Sequence, residues 1–289
     1  MVPSSLGDPG SGDDRDRRAV AGDVDAADAS LGRRIFGTDP EGYAAGRPGY
    51  PSELFDHLVG VCGLGPGTAT VEIGPGAGQA TAGLLERGAQ PLVLVEPDAA
   101  LAGLLGRRFG RHVEIRAEAF EDCQLPEAGF DLAACATAFH WLDEPTSLAK
   151  LGRILRPGGW WSMWWTSFHV PGETDALYDA LTPILAPILP PRPSGEGRAV
   201  DFSHDREGRT AALEASGAFV GPSVETFRWT LLLDAARARA LFGTFSPILA
   251  LQPNHREQVL HQIGQVLDEQ FAGSFERTCE TIVYTAQRR

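Results

Sequence analysis

The segment Val71-Glu72-Ile73-Gly74-Pro75-Gly76-Ala77-Gly78-Gln79 is where residue types and spacing first point to chemistry. A β-branched run enters a glycine-rich turn, and a helical pattern follows. Glycines let a backbone approach a ligand closely and take positive φ. The helix behind them offers unpaired N–H groups in its first turn. A dinucleotide fingerprint reads G-x-G-x-x-G; here the spacing is G-x-G-x-G, with Pro75 inside the turn and Gln79 after the last glycine. Glu72, two positions before the first glycine, sets a carboxylate at the strand's end. It would repel a pyrophosphate, and it suits a ligand carrying an ammonium and a sulfonium. Glu96 lies eighteen residues after Gly78 and ends the run Leu92-Val93-Leu94-Val95. An acid placed there can accept hydrogen bonds from both hydroxyls of a ribose. Taken singly, the loop also reads as a plain glycine turn and Glu96 as a solvated carboxylate.

These residues need a sheet to hold them. Apolar runs of strand length occur at 69–73, 92–95, 113–115, 130–135 and 160–165, with helical stretches at 78–88, 98–109 and roughly 145–155. Strand–helix repetition with continuously apolar strands predicts a parallel sheet covered on both faces. Arg156-Pro157-Gly158-Gly159 reads as a helix stop. Upstream, Asp39-Pro40 predicts a helix start. Pro51 begins another, whose face carries Leu54, Leu58, Val61 and Cys62. Beyond Thr166 the pattern changes. Residues 168–200 are rich in proline, with a short helix near 174–186; 206–217 and most of 235–273 read as helix, and 224–233 and 281–286 as strand. The expected organisation is a disordered tail over 1–32, a helical cap over 33–62 and a cofactor-binding core over 63–167. An insertion with a helix then covers 168–215, and strands over 216–289 complete the sheet, capped by 235–273. Trp160 and Trp164 should face one side of their strand, Trp161 and Trp165 the other.

The totals narrow the field. The 289 residues carry a formal net charge of −13, and Lys150 is the only lysine. No basic cluster offers a nucleic-acid footprint. No apolar run reaches the ~18 residues of a membrane span, and the N-terminus has no apolar signal core. The four cysteines, Cys62, Cys123, Cys135 and Cys279, form no C-x-x-C pair, so no metal site is expected and a reduced, cytoplasmic setting is.

VEIGPGAGQAT, LVLVEPD, AEAFEDCQLPEAGFDLAACATAFHWLD and LGRILRPGGWW, in that order, resemble successive motifs of the class I S-adenosylmethionine-dependent methyltransferases. YAAGRPGYP at 43–51 is similar to the N-terminal segment of the small-molecule, trans-aconitate methyltransferase-like branch. The likeness covers about 36–166. It implies a Rossmann-like α/β fold: a mostly parallel seven-stranded sheet, helices on both faces, an antiparallel C-terminal strand and helical lid segments. It implies S-adenosylmethionine as cofactor, no metal, and methyl transfer to a small-molecule acceptor, with neither nucleic acid nor membrane as partner. Gly74, Pro75, Gly76, Gly78 and Gln79 would meet the methionine part, with Glu72 beneath. Glu96 and Pro97 would meet the ribose, and Ala119 and Phe120 the adenine. Ala136 and Thr137 would lie by the sulfonium, with Tyr43 and Arg47 closing over the cofactor. Arg47 could pair with its carboxylate.

Phe139, His140, Trp141, Trp165, Phe168 and His169 would face the acceptor. His140 is the best base candidate, because histidine titrates near neutrality, with His169 the second; the alternative is that His140 orients the loop or the acceptor through a hydrogen bond. The tryptophan-rich strand reads first as core. Leu185–Pro191 offers an apolar wall, favouring an apolar or aromatic acceptor. A non-methylating relative, either a cyclase or a cofactor-binding scaffold, has the same motifs. A nicotinamide oxidoreductase is opposed by the loop spacing and Glu72.

Overall fold

The computed structural model describes residues 36–170, 172–189 and 202–289. The expected tail, and the prolines at 190, 191 and 193, lie outside them. After one turn at Phe36–Thr38, helix α1 (Pro40–Gly46) starts where Asp39-Pro40 places it, with Asp39 Oδ1 accepting from the Gly42 N–H at 3.0 Å. Helix α2 (Ser52–Cys62) buries Leu54, Phe55, Leu58 and Cys62. Phe55 takes the place expected of Val61, which is exposed.

The alternation follows: β1 (Thr68–Ile73), α3 (Gln79–Glu86), β2 (Ala89–Val95), α4 (Ala99–Phe109), β3 (Glu114–Arg116), β4 (Phe130–Ala136), α5 (Glu144–Ile154) and β5 (Leu155–Ser167). Then come α6 (Ala176–Leu185), α7 (Arg206–Ala215), β6 (Phe219–Asp234), α8 (Ala235–Phe242), the single turn α9 (Ser246–Leu249), α10 (Pro253–Gln270) and β7 (Ser274–Arg288). Arg156-Pro157-Gly158-Gly159 is not a gap between elements. The helix gives way at Leu155 directly to strand, and the four residues bulge out between the pairs Phe130–Leu155 and Leu132–Trp160.

Seven strands form one sheet in the order β3-β2-β1-β4-β5-β7-β6. Strands β1 to β5 run parallel, and β7 is antiparallel to both β5 and β6. This is the mostly parallel Rossmann-like sheet that the alternation and the resemblance imply. One face packs Val71, Val95, Trp161 and Trp165 against α5 and α7. The other packs Leu92, Leu94 and Trp164 against α2, α3 and α4. The tryptophans alternate as expected. A third apolar cluster joins α6, α8 and α10 to the far ends of β6 and β7. Helix α7, grouped by sequence with the insertion, therefore covers the sheet itself, and α6 belongs to the C-terminal helical layer. Among the described residues no helix is long and apolar enough to cross a membrane.

The chain winds outward from β1 to β2 and β3, then returns to β4 on the other side of β1. That reversal opens a crevice at the carboxyl ends of the strands, where open α/β sheets bind ligands.

Candidate functional site

A cavity fills this crevice. Its floor is the glycine loop. Gly74, Gly76 and Gly78 all take positive φ, at 63°, 59° and 87°. Space as well as φ demands glycine twice: a Cβ on Gly74 would stand 2.7 Å from that of Ala138, and one on Gly78 2.4 Å from the Phe109 ring. The loop is pinned by Gly74 N–H donating to Val95 O and Gly78 N–H donating to Pro75 O, both at 2.9 Å. Gly74, Pro75, Gly76 and Gln79 line the cavity. Gly78 does not; it fits the loop against α4.

Glu96 stands at the end of β2, lines the cavity and is only 4% exposed. Its Oε2 accepts from the Gly76 N–H and its Oε1 from the Asp98 N–H, each at 3.0 Å. Burial pushes its carboxyl up to about 7, against the pull of those two N–H groups. Glu96 thus ties the glycine loop to the start of α4, a role its sequence position alone did not reveal. Glu72 is fully buried beneath the loop and does not reach the cavity wall. Thr81 Oγ1 donates to its Oε2 at 2.6 Å, while Oε1 has no hydrogen-bond partner among the described residues. Burial, aided by the nearby Glu96 charge, pushes Glu72 up to about 8.

Past β3 the chain turns at Ala119–Cys123. Phe120 and Glu121 line the cavity, as do Val95, Pro97 and Leu101. Ala119, expected there, instead accepts the Asp122 and Cys123 N–H groups with its carbonyl and stays outside. Lys150 of α5 holds this turn, donating through Nζ to the carbonyls of Phe120, Glu121 and Cys123. The sequence marked this lysine only by its rarity.

At β4, Ala136 and Thr137 line the cavity, followed by Ala138, His140, Trp141 and Leu142. Thr137 has φ 55°, a conformation β-branched residues rarely take. His140 Nδ1 accepts a hydrogen bond from Trp165 Nε1 at 3.1 Å. An indole N–H only donates, so Nδ1 carries no proton and the neutral ring holds its proton on Nε2. Phe139 and Trp165 were expected at the acceptor; both are core. Phe139 is fully buried with its ring 5.1 Å from Trp161, and Trp165 packs on Phe202 at 5.1 Å and Tyr284 at 6.1 Å. Strand alternation aims the Trp165 ring under the sheet, and Phe139 is turned there by the short helical turn Phe139–Trp141 that follows β4. His169 is also outside the cavity; its carbonyl accepts from Ser167 Oγ at 2.5 Å. Phe168 does line it. Of the apolar wall expected from Leu185–Pro191, the described part packs with the C-terminal helices instead.

The roof joins two distant parts of the chain. Tyr43, Arg47, Pro48 and Tyr50 come from α1 and the link to α2; Phe168 and Ser246 come from the C-terminal half. Gln79 Nε2 donates to the carbonyls of Ala44 and Arg47, at 3.4 and 3.5 Å, fastening the roof to the loop. Helix α1 meets α8 so closely that a Cβ on Gly46 would stand 2.3 Å from Ala240 O. The Arg47 guanidinium lies 5.2 Å from the Phe245 ring centre and 5.7 Å from that of Tyr43. Its buried Nε has no hydrogen-bond partner among the described residues. Tyr50, Phe36, Ser246 and Thr166 were not singled out by sequence. Thr166 carries a usable local signal, its place at the carboxyl end of β5, whereas long-range packing brings Phe36, Tyr50 and Ser246 to the cavity. Among the described residues no cluster of His, Cys, Asp and Glu could hold a metal ion.

Residues 71–163 match a family described as a methyltransferase domain. An uncharacterised methyltransferase of Mycobacterium tuberculosis is 32% identical to the chain over 126 residues, covering 43% of this chain and 49% of that protein. An uncharacterised methyltransferase of Schizosaccharomyces pombe is 26% identical over 126 residues, covering 44% and 50%. The chain spans about half the length of these curated relatives. A solved structure from Anaeromyxobacter dehalogenans, described as a candidate type II methyltransferase, superposes with TM-score 0.54 at 25% identity, over 84% of this chain and 97% of that one. One from Anabaena variabilis, described as a candidate methyltransferase from an antibiotic biosynthesis pathway, has TM-score 0.54 at 18% identity, over 80% and 96%. The latter likeness is one of fold. The matched stretch thus supplies the floor of the cavity, and segments on either side of it supply the roof.

Proposed function

We propose that the protein binds S-adenosylmethionine in this cavity and transfers its methyl group to a small-molecule acceptor. One observation carries the reading: one cavity runs from Phe120 and Glu96 past the glycine loop to Thr137, beneath a roof whose Arg47 Nε is buried with no hydrogen-bond partner among the described residues. The donors fit the cofactor part by part. Arg47 offers a cation to its carboxylate, and the glycine loop lies against its methionine chain. Glu96 retains a lone pair on each oxygen for a ribose hydroxyl. Phe120, Leu101 and Val95 offer apolar contact to the adenine. Glu72, beneath the loop, contributes a buried acid near the cofactor's ammonium.

When bound, S-adenosylmethionine supplies a methyl on positively charged sulfur; the bond from acceptor to carbon forms as the S–C bond breaks, and its electron pair stays on sulfur. The chain's part is to orient and to exclude water. Phe168, Trp141, Thr166 and Ser246 border the acceptor side, which suits an apolar or aromatic molecule carrying a polar group. His140, held as its Nε2–H form by Trp165, orients the acceptor as a hydrogen-bond donor rather than taking its proton.

Titration calorimetry with S-adenosylmethionine and, separately, NADPH tests the cofactor. Binding of the first and not the second is expected, and failure to bind the first would end this reading. Labelled cofactor with a panel of neutral aromatic acceptors then tests transfer. Cofactor binding without S-adenosylhomocysteine across the panel would favour the non-methylating alternative.

A further inference from the structure

We propose that Tyr50 and Thr137 form a neutral oxygen pair that receives the methyl-bearing end of the cofactor and favours its cationic form over the neutral product. The inference rests on the cofactor reading above and adds to it a residue, Tyr50, and a selectivity.

Strand order sets the direction of the site. Phe120 follows β3, Glu96 ends β2 and the glycine loop ends β1, so the nucleoside and methionine parts lie in that order across the sheet. Thr166 and Phe168, on the acceptor side, belong to β5 and the residues just after it. The junction between the two halves falls at β4, and Thr137 is the first residue past its end.

Thr137 is held there against its own preference. Its left-handed backbone, at φ 55°, is strained for a β-branched residue and is found mostly where function needs it. Its N–H donates to Trp164 O at 2.7 Å, which fixes the turn to β5. The side chain is spent on one contact: Thr137 Oγ1 and the Tyr50 hydroxyl lie 3.0 Å apart. The Tyr50 ring meets Trp164 edge-on, centres 5.9 Å apart, so the hydroxyl is aimed by packing as well as by its hydrogen bond. Both residues line the cavity.

Two hydroxyls bring two hydrogens and four lone pairs. Their mutual bond uses one of each, leaving lone pairs for a partner of positive charge. Burial holds the Tyr50 proton well above the usual phenol range, so the pair stays neutral and takes no proton from the acceptor. Oxygen dipoles of this kind attract a methyl on cationic sulfur and gain nothing from the uncharged sulfide left after transfer. The pair therefore holds the donor and lets the product go.

The test is calorimetry on the full chain with two probes. Sinefungin carries an ammonium where the methyl group stands; S-adenosylhomocysteine is neutral at that position. Tyr50→Phe keeps the ring on Trp164 and removes one oxygen. It should weaken sinefungin about tenfold, the usual worth of a hydrogen bond to a charged group, and leave S-adenosylhomocysteine within twofold. Thr137→Ser, which keeps the second oxygen, should behave as wild type toward both. Equal loss of both probes in Tyr50→Phe, or no loss of either, overturns the pair. If the wild-type chain binds neither probe, the cofactor reading fails first and the pair with it.

Discussion

Glu96→Ala probes the ribose contact most directly. Each Glu96 oxygen already accepts one backbone N–H, from Gly76 and from Asp98, both at 3.0 Å. A carboxylate oxygen accepts about two hydrogen bonds, so one place remains on each for the ribose diol. Two charge-assisted contacts at about 1.5–3 kcal/mol apiece predict that S-adenosylhomocysteine binds at least ~100-fold more weakly to the variant. His140→Ala, on the acceptor side, should change the same constant by less than about threefold. The pH dependence gives a second reading. The Glu96 carboxyl stands near 7 in the free protein, so at pH 6 it is mostly protonated and one oxygen is an O–H donor instead of an acceptor. Affinity should therefore rise by roughly tenfold between pH 6 and 8 in the wild type, and this rise should vanish in Glu96→Ala. Calorimetry across that range, with melting curves to confirm that the variant is folded, measures both. A Glu96→Ala loss smaller than that of His140→Ala would refute the ribose assignment.

Further outcomes follow from single contacts. Arg47→Ala should weaken S-adenosylhomocysteine by roughly 10–100-fold and leave 5′-methylthioadenosine, which lacks the amino-acid end, unchanged; calorimetry with both tests the carboxylate pairing. Glu72 is pushed up to about 8 by burial, so it favours the folded state at low pH. Ligand-free stability should fall as pH rises from about 4.5 through 8, and urea titrations of Glu72→Gln should show that slope reduced. Gly78→Ala forces a Cβ to 2.4 Å from Phe109 at φ 87°, which should cost roughly 2–5 kcal/mol by thermal or urea unfolding. His140→Ala strands the Trp165 indole N–H, in a residue only 5% exposed, and should cost about 1–3 kcal/mol in the same assay.

The floor of the site was legible because local sequence builds it. The glycine loop, Glu96, Phe120 and Thr137 each sit where a parallel strand ends, and strand periodicity finds those ends. Strands β6 and β7 were read too short, as 224–233 and 281–286 against Phe219–Asp234 and Ser274–Arg288. They form a long antiparallel ribbon; β6 alternates exposed with partly buried residues, and β7 buries the polar Arg277, Glu280, Thr281 and Thr285 among its apolar ones, so apolar runs mark only part of it. The acceptor side was the least legible. Phe139 and Trp165 have the right types and the right neighbourhood, but the pleat of β5 turns Trp165 into the core, where one residue of register separates pocket from core, and the short turn Phe139–Trp141 does the same for Phe139. Tyr50 sits in a segment the resemblance had quoted, yet its pairing with Thr137 spans eighty-seven positions of sequence.

The contact between Gly46 and Ala240 bears on how any ligand gets in. With two helices in direct backbone touch, neither can slide past the other. Arg47 and Phe245, each a short step from that contact, are thus coupled in position. A movement of α1 away from the glycine loop would therefore carry α8 with it. The roof of the cavity thus behaves as one body built from two segments some two hundred residues apart in sequence.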